Sequence, residues 1–74
     1  MFETLKKFLV DELRVNADDV TMDAELSGDL GINSLELADL VLICEDNFGI
    51  TISDNDIRGF ATIADVVTFL ESAE

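Results

Sequence analysis

A chain of 74 residues with 17 acidic and 4 basic side chains carries a net charge of −13, which repels nucleic acid and anionic membrane and favours basic protein surfaces. The length fits one domain over residues 1–74, and a single core of this size supplies only about 3–5 kcal/mol. One cysteine excludes an internal disulfide, and the lack of histidine excludes Ser–His and Cys–His nucleophiles and an ordinary zinc site.

Phe2, Leu5, Leu9 and Leu13 recur at steps of three and four, which predicts a first helix ending near Arg14. Charges break this stretch, so it lacks the apolar run of a signal peptide. Nothing further along approaches the roughly 18 apolar residues of a membrane span. No stable membrane insertion is expected, and the expected location is the cytoplasm.

Residues 15–32 then form a long connection rich in turn formers, among them Asn16, Asp18, Asp19, Asp23, Gly28, Asp29 and Gly31. Val15, Val20, Met22, Leu26 and Leu30 are spaced so as to pin it to the core. A connection of this length in a small domain is often functional.

A second helix is sharply punctuated. Asn33 is a good N-cap, Glu36 three residues later completes a capping box, and Ser34 becomes the first helical residue. Gly49 after Phe48 stops it, with Ile50 as the apolar residue that follows such a stop. Ile50–Ile52 reads as a short extended link. Ser53–Asp56 starts a short third helix that Gly59 ends. Thr62 with Asp65 starts a fourth, whose apolar stripe is Ile63, Val66, Val67 and Leu70. The expected fold is all-α: a four-helix bundle with a long helix I–II loop and a short third helix.

At about 100° per residue, the second helix has two apolar faces. Leu37, Leu40, Val41, Cys44 and Phe48 form the core face, where Cys44 acts as a small apolar residue. Leu35 and Leu42 lie seven residues apart on the other side, beside Asp39 and Asp46, with Glu36 and Ile43 further round. An apolar pair in an acidic field facing away from the core suggests a surface for docking a partner; the alternative is that the pair packs under the long loop. The helix start itself favours anions, because its first N–H groups lack internal partners. No segment matches a calcium loop, a P-loop or a dinucleotide fingerprint. The many carboxylates read as a solvated face, so neither an enzyme nor a metal site is expected.

Across nearly its whole length the chain resembles the acyl carrier proteins. The residues that carry the likeness are Asp29-Leu30-Gly31-Ile32-Asn33-Ser34-Leu35-Glu36, the acidic and apolar helix that follows, and Phe48-Gly49-Ile50 at its end. The resemblance implies a 4′-phosphopantetheine esterified to Ser34 by a phosphopantetheinyl transferase. It implies acyl groups carried as thioesters on that arm, and partner enzymes of fatty acid synthesis whose basic patches meet Glu36, Asp39, Glu45, Asp46 and Asp56, with Leu35 and Leu42 as the apolar part of the same docking face. The chain's limits suggest a freestanding carrier of a dissociated fatty acid synthase, and a monomer is expected. A carrier for polyketide or aminoacyl chains is the nearest alternative. The other is an acidic interaction module with no prosthetic group. Two positions depart from the family pattern: Asn33 stands where aspartate is usual, and Ser53 where many members have proline.

Overall fold

A computed structural model describes residues 1–73. It contains four α-helices: α1 (Phe2–Leu13), α2 (Ser34–Phe48), α3 (Asp54–Arg58) and α4 (Ile63–Ala73), with a 3₁₀ turn at Ala17–Asp19 between the first two. Among the described residues there is no strand, only an isolated antiparallel bridge between Glu25 and Thr62. The fold is all-α, in line with the sequence.

The helices begin and end where side-chain chemistry says they must. On α2, Asn33 Oδ1 accepts the Glu36 N–H at 2.8 Å and Glu36 Oε1 accepts the Asn33 N–H at 3.2 Å. This reciprocal box satisfies two amides at once. Gly49 closes the helix in the left-handed region at φ 65, where a Cβ would be strained. The α3 start repeats the box with Ser53 and Asp56. At the end of α1, Arg14 occupies the left-handed region at φ 58, and the Val15 N–H reaches back to the Leu9 carbonyl at 3.1 Å. The helix thus stops where the sequence suggested, without the glycine that usually serves there.

One core joins these elements. Leu5 and Leu9 of α1 meet Leu40, Val41 and Cys44 of α2 and Ile63, Val66, Val67 and Leu70 of α4, all buried. From α3 only Ile57 packs against them, half-buried, so the short helix rests at the edge of the core. The long loop adds Val20, Ala24, Leu26 and Ile32.

The loop's attachment corrects one sequence expectation. Met22 does not pin the loop with its side chain, which is 41% exposed. Its carbonyl does the holding, accepting the Ala64 N–H at 2.9 Å, while the Ala24 carbonyl accepts the Ile63 N–H at 3.0 Å. These are the first amides of α4, which no carbonyl of that helix can reach. Asp65 completes the junction: its Oδ2 accepts the Ala61 and Thr62 N–H groups, each at 3.0 Å. The loop therefore serves as the backbone cap of α4, and the buried small side chain belongs to Ala24.

Self-repulsion limits this fold. A net charge of −13 on a small core means that screening favours the native state. Raising salt to shorten the reach of charge to about 8 Å, or adding millimolar magnesium, is expected to raise the melting temperature. A melting temperature indifferent to both would contradict the point.

Candidate functional site

The loop delivers Ser34 to the surface through a series of tight bonds. The Asp29 and Leu30 N–H groups both donate to the Glu25 carbonyl, Gly31 N–H to the Ser27 carbonyl at 3.1 Å, and Ile32 N–H to the Leu26 carbonyl at 2.9 Å. Buried Leu26 and Ile32 hold both ends of this turn against the core. Gly31 sits at φ 66, a conformation that favours glycine. Among the described residues no atom outside its immediate neighbours comes within 4 Å of where a Cβ would stand, so a side chain there would be opposed by the backbone conformation and not by crowding.

Ser34 is exposed at the first position of α2. Asn33 supplies the cap, so the Ser34 hydroxyl is not needed for it, and among the described residues it makes no hydrogen bond. Asn33 and Glu36 find partners for their amides through the capping box, and the Leu37 N–H bonds to the Asn33 carbonyl at 2.9 Å. The amides left over in this first turn are those of Ser34 and Leu35. Glu36, the acid of that turn, has one oxygen turned to the Asn33 N–H. A free hydroxyl beside spare N–H donors, at the positive end of a four-turn helix, suits a phosphate ester. The residues present fit such a group.

Beyond Ser34, α2 shows the two faces expected of it. Leu40, Val41 and Cys44 are buried, and Leu37 and Phe48 are half-buried against the core. Phe48 also packs on Phe8 of α1 at 5.9 Å between ring centroids. Burial pushes the Cys44 thiol up to about 11, with help from the Glu45 charge. It is thus protonated and shielded, a packing group rather than a nucleophile. On the opposite side Leu35 is 78% and Leu42 58% exposed. The loop does not cover either one, which removes the alternative placement.

The acidic residues on this side divide by what their carboxylates do. Asp39 and Asp46 are exposed. With Leu42 and Ile43 they line a shallow groove of about 270 Å³, closed on its other side by Glu12 and Leu13 of α1. The contribution of α1 has no sequence signal, because Leu13 reads there as a core position and Glu12 as a solvated charge. Glu45 is turned elsewhere: its Oε2 accepts the Ile52 N–H at 2.7 Å, tying down the link after α2. Asp56 Oδ2 accepts both the N–H and the hydroxyl of Ser53. Glu36, Glu45 and Asp56 therefore each spend one oxygen on a bond within the chain, whereas among the described residues Asp39 and Asp46 make no such bond.

Comparison with known proteins agrees in extent with this geometry. The family described as "Phosphopantetheine attachment site" matches residues 3–70. Proteins named acyl carrier protein from Clostridium perfringens strains SM101, ATCC 13124 and 13 are each 39% identical to the chain over 70 residues. The match covers 95% of this chain and 92% of each relative.

Proposed function

The chain belongs to the acyl carrier proteins, and from that premise we propose that Ser34 holds its 4′-phosphopantetheine and that it shuttles fatty-acyl intermediates between separate enzymes of fatty acid synthesis. As a member of that family it is a carrier rather than an enzyme, and its phosphopantetheine is covalently attached. No helix among the described residues is long and apolar enough to cross a membrane.

The observation that carries the reading is the exposed, unbonded hydroxyl of Ser34 at a capped helix start, with Leu35 bare beside it. The arm, once attached, supplies the thiol that the chain's own buried Cys44 cannot offer. The chain's residues do the rest. Asn33 and Glu36 hold the first turn of α2 fixed, so the attachment point is presented in one geometry. The spare N–H groups of Ser34 and Leu35 and the helix dipole favour the negative phosphodiester there. Leu35 and Leu42 lie about 10 Å apart along the axis, as seven residues of helix require. They offer apolar contact to a partner, and Asp39 and Asp46 draw a basic patch to it and fix its orientation. Phosphopantetheinyl transferase and the synthesis enzymes use this same face.

Asn33 sets the pace of modification. Asparagine and aspartate cap helices about equally well, so Asn33→Asp keeps the start of α2. What it adds is a charge beside Ser34, and charge-assisted hydrogen bonds are roughly twice as strong as neutral ones. The variant is expected to accept phosphopantetheine from a bacterial transferase faster at low salt, with little change in melting temperature. Equal rates would show that the missing charge has no influence.

The pathway is tested by loading. The phosphopantetheinylated chain is offered malonyl groups by a malonyl transferase of a dissociated fatty acid synthase, followed by its condensing enzyme, and the products are read by intact mass. Malonylation and elongation support the reading. Loading only by an amino-acid-activating enzyme, or by polyketide enzymes, would replace it with a specialised carrier.

A further inference from the structure

Phe60 follows α3 and Phe69 lies within α4; their rings meet nearly edge to face, 5.4 Å between centroids and 69° between planes. Both are half-buried. They line a groove of about 370 Å³ between the two helices, together with Asp56, Gly59, Asp65 and Thr68. Among the described residues no basic side chain lines it. Neither the α2 face nor Ser34 is part of it.

The two carboxylates are held from within. Asp56 Oδ2 accepts the Ser53 N–H at 3.1 Å and the Ser53 hydroxyl at 2.8 Å. Asp65 Oδ2 accepts the Ala61 and Thr62 N–H groups. In each residue the same oxygen does this work, so among the described residues both Oδ1 atoms are without a partner in the chain. The Thr62 and Ala61 amides also lower the Asp65 pKa. Carboxylates already fixed by caps lose little freedom when a ligand binds.

Charge and shape together select the occupant. A lipid chain would lie as bare hydrocarbon against two carboxylates. An ammonium would meet the charge but use the rings poorly. A guanidinium does both, since its flat face stacks on aromatic rings while its edge donates several N–H bonds. We propose that the groove between α3 and α4 docks an arginine side chain on a basic segment of a partner protein, its guanidinium against Phe60 and Phe69 and its N–H groups donating to Asp56 and Asp65.

The test uses the unmodified chain, so its outcome is independent of the Ser34 reading. Amide NMR spectra are followed during titration with short capped glycine–serine peptides carrying paired arginines, lysines or citrullines, at about 0.15 M salt, where diffuse attraction reaches only about 8 Å. The arginine peptide is expected to shift the amides of Asp56, Gly59, Phe60, Asp65, Thr68 and Phe69. The lysine peptide binds there at least about threefold more weakly, and citrulline not at all. Phe69→Leu weakens the arginine peptide by about threefold or more. Thr68→Lys, at an exposed position clear of the core, abolishes the site by placing a cation beside it. Shifts spread over the 16–29 loop and α2, equal binding of lysine and arginine, or indifference to Thr68→Lys would each overturn the proposal.

Discussion

Leu40→Ala is expected to cost the fold about 2–5 kcal/mol, whereas Leu42→Ala, two residues on, moves it by no more than about 0.5 kcal/mol. Leu40 is 2% exposed, among the largest fully enclosed side chains of the core, and Leu42 is 58% exposed. Truncating Leu40 removes apolar burial and leaves a space inside a core whose other members, Leu5, Leu9 and Cys44 among them, are already enclosed. For a domain whose whole core supplies about 3–5 kcal/mol, that loss leaves much of the population unfolded at room temperature. Leu42→Ala trades one exposed apolar residue for the best helix former, so its effect appears in partner binding instead. Thermal denaturation of both variants, beside the rate at which a malonyl transferase loads each, reads the two effects separately. A Leu42→Ala variant that melts as early as Leu40→Ala would place Leu42 in the core and overturn the assignment of the faces.

Ser34→Ala is expected to abolish phosphopantetheine attachment while leaving the melting temperature within a degree or two of wild type, a shift worth only a few tenths of a kcal/mol in a domain this size. The structure separates the two properties. The cap of α2 belongs to Asn33 and Glu36, and the Ser34 side chain is exposed. Alanine at the first helical position therefore disturbs neither hydrogen bonds nor packing. The loss is that of an acceptor oxygen for which no neighbour substitutes, since the residues on either side are Asn33 and Leu35. The expected readout is an unchanged mass after incubation with coenzyme A and transferase, and no acyl loading afterwards. A variant that still gained the arm would remove Ser34 from its proposed role.

What the sequence made legible was local. Asn33 with Glu36, Ser53 with Asp56 and Thr62 with Asp65 each place a donor and an acceptor three residues apart, so the helix starts could be read before any folding was known. The α2 wheel separated Leu40 and Cys44 from Leu35 and Leu42 because helical phase needs only the order of residues. What stayed hidden depends on partners far along the chain. Nothing near Met22 says that its carbonyl will meet the Ala64 amide, so its apolar side chain read as an anchor. Glu45 looked like one more surface acid because its partner, the Ile52 amide, lies beyond the helix end. The grooves that α1 shares with α2, and α4 with α3, join residues that only the packed structure brings together.

The central claim is that the arm sits on Ser34, and locating the added mass by peptide fragmentation tests it most directly. Wild-type chain is incubated with coenzyme A and a phosphopantetheinyl transferase, then digested and sequenced by tandem mass spectrometry. The account predicts a single phosphopantetheine per chain, carried by the peptide containing Ser34, with fragment ions assigning it to that residue. A chain that gains no mass, or whose arm maps to another hydroxyl such as Ser27, Ser53 or Thr62, would contradict it.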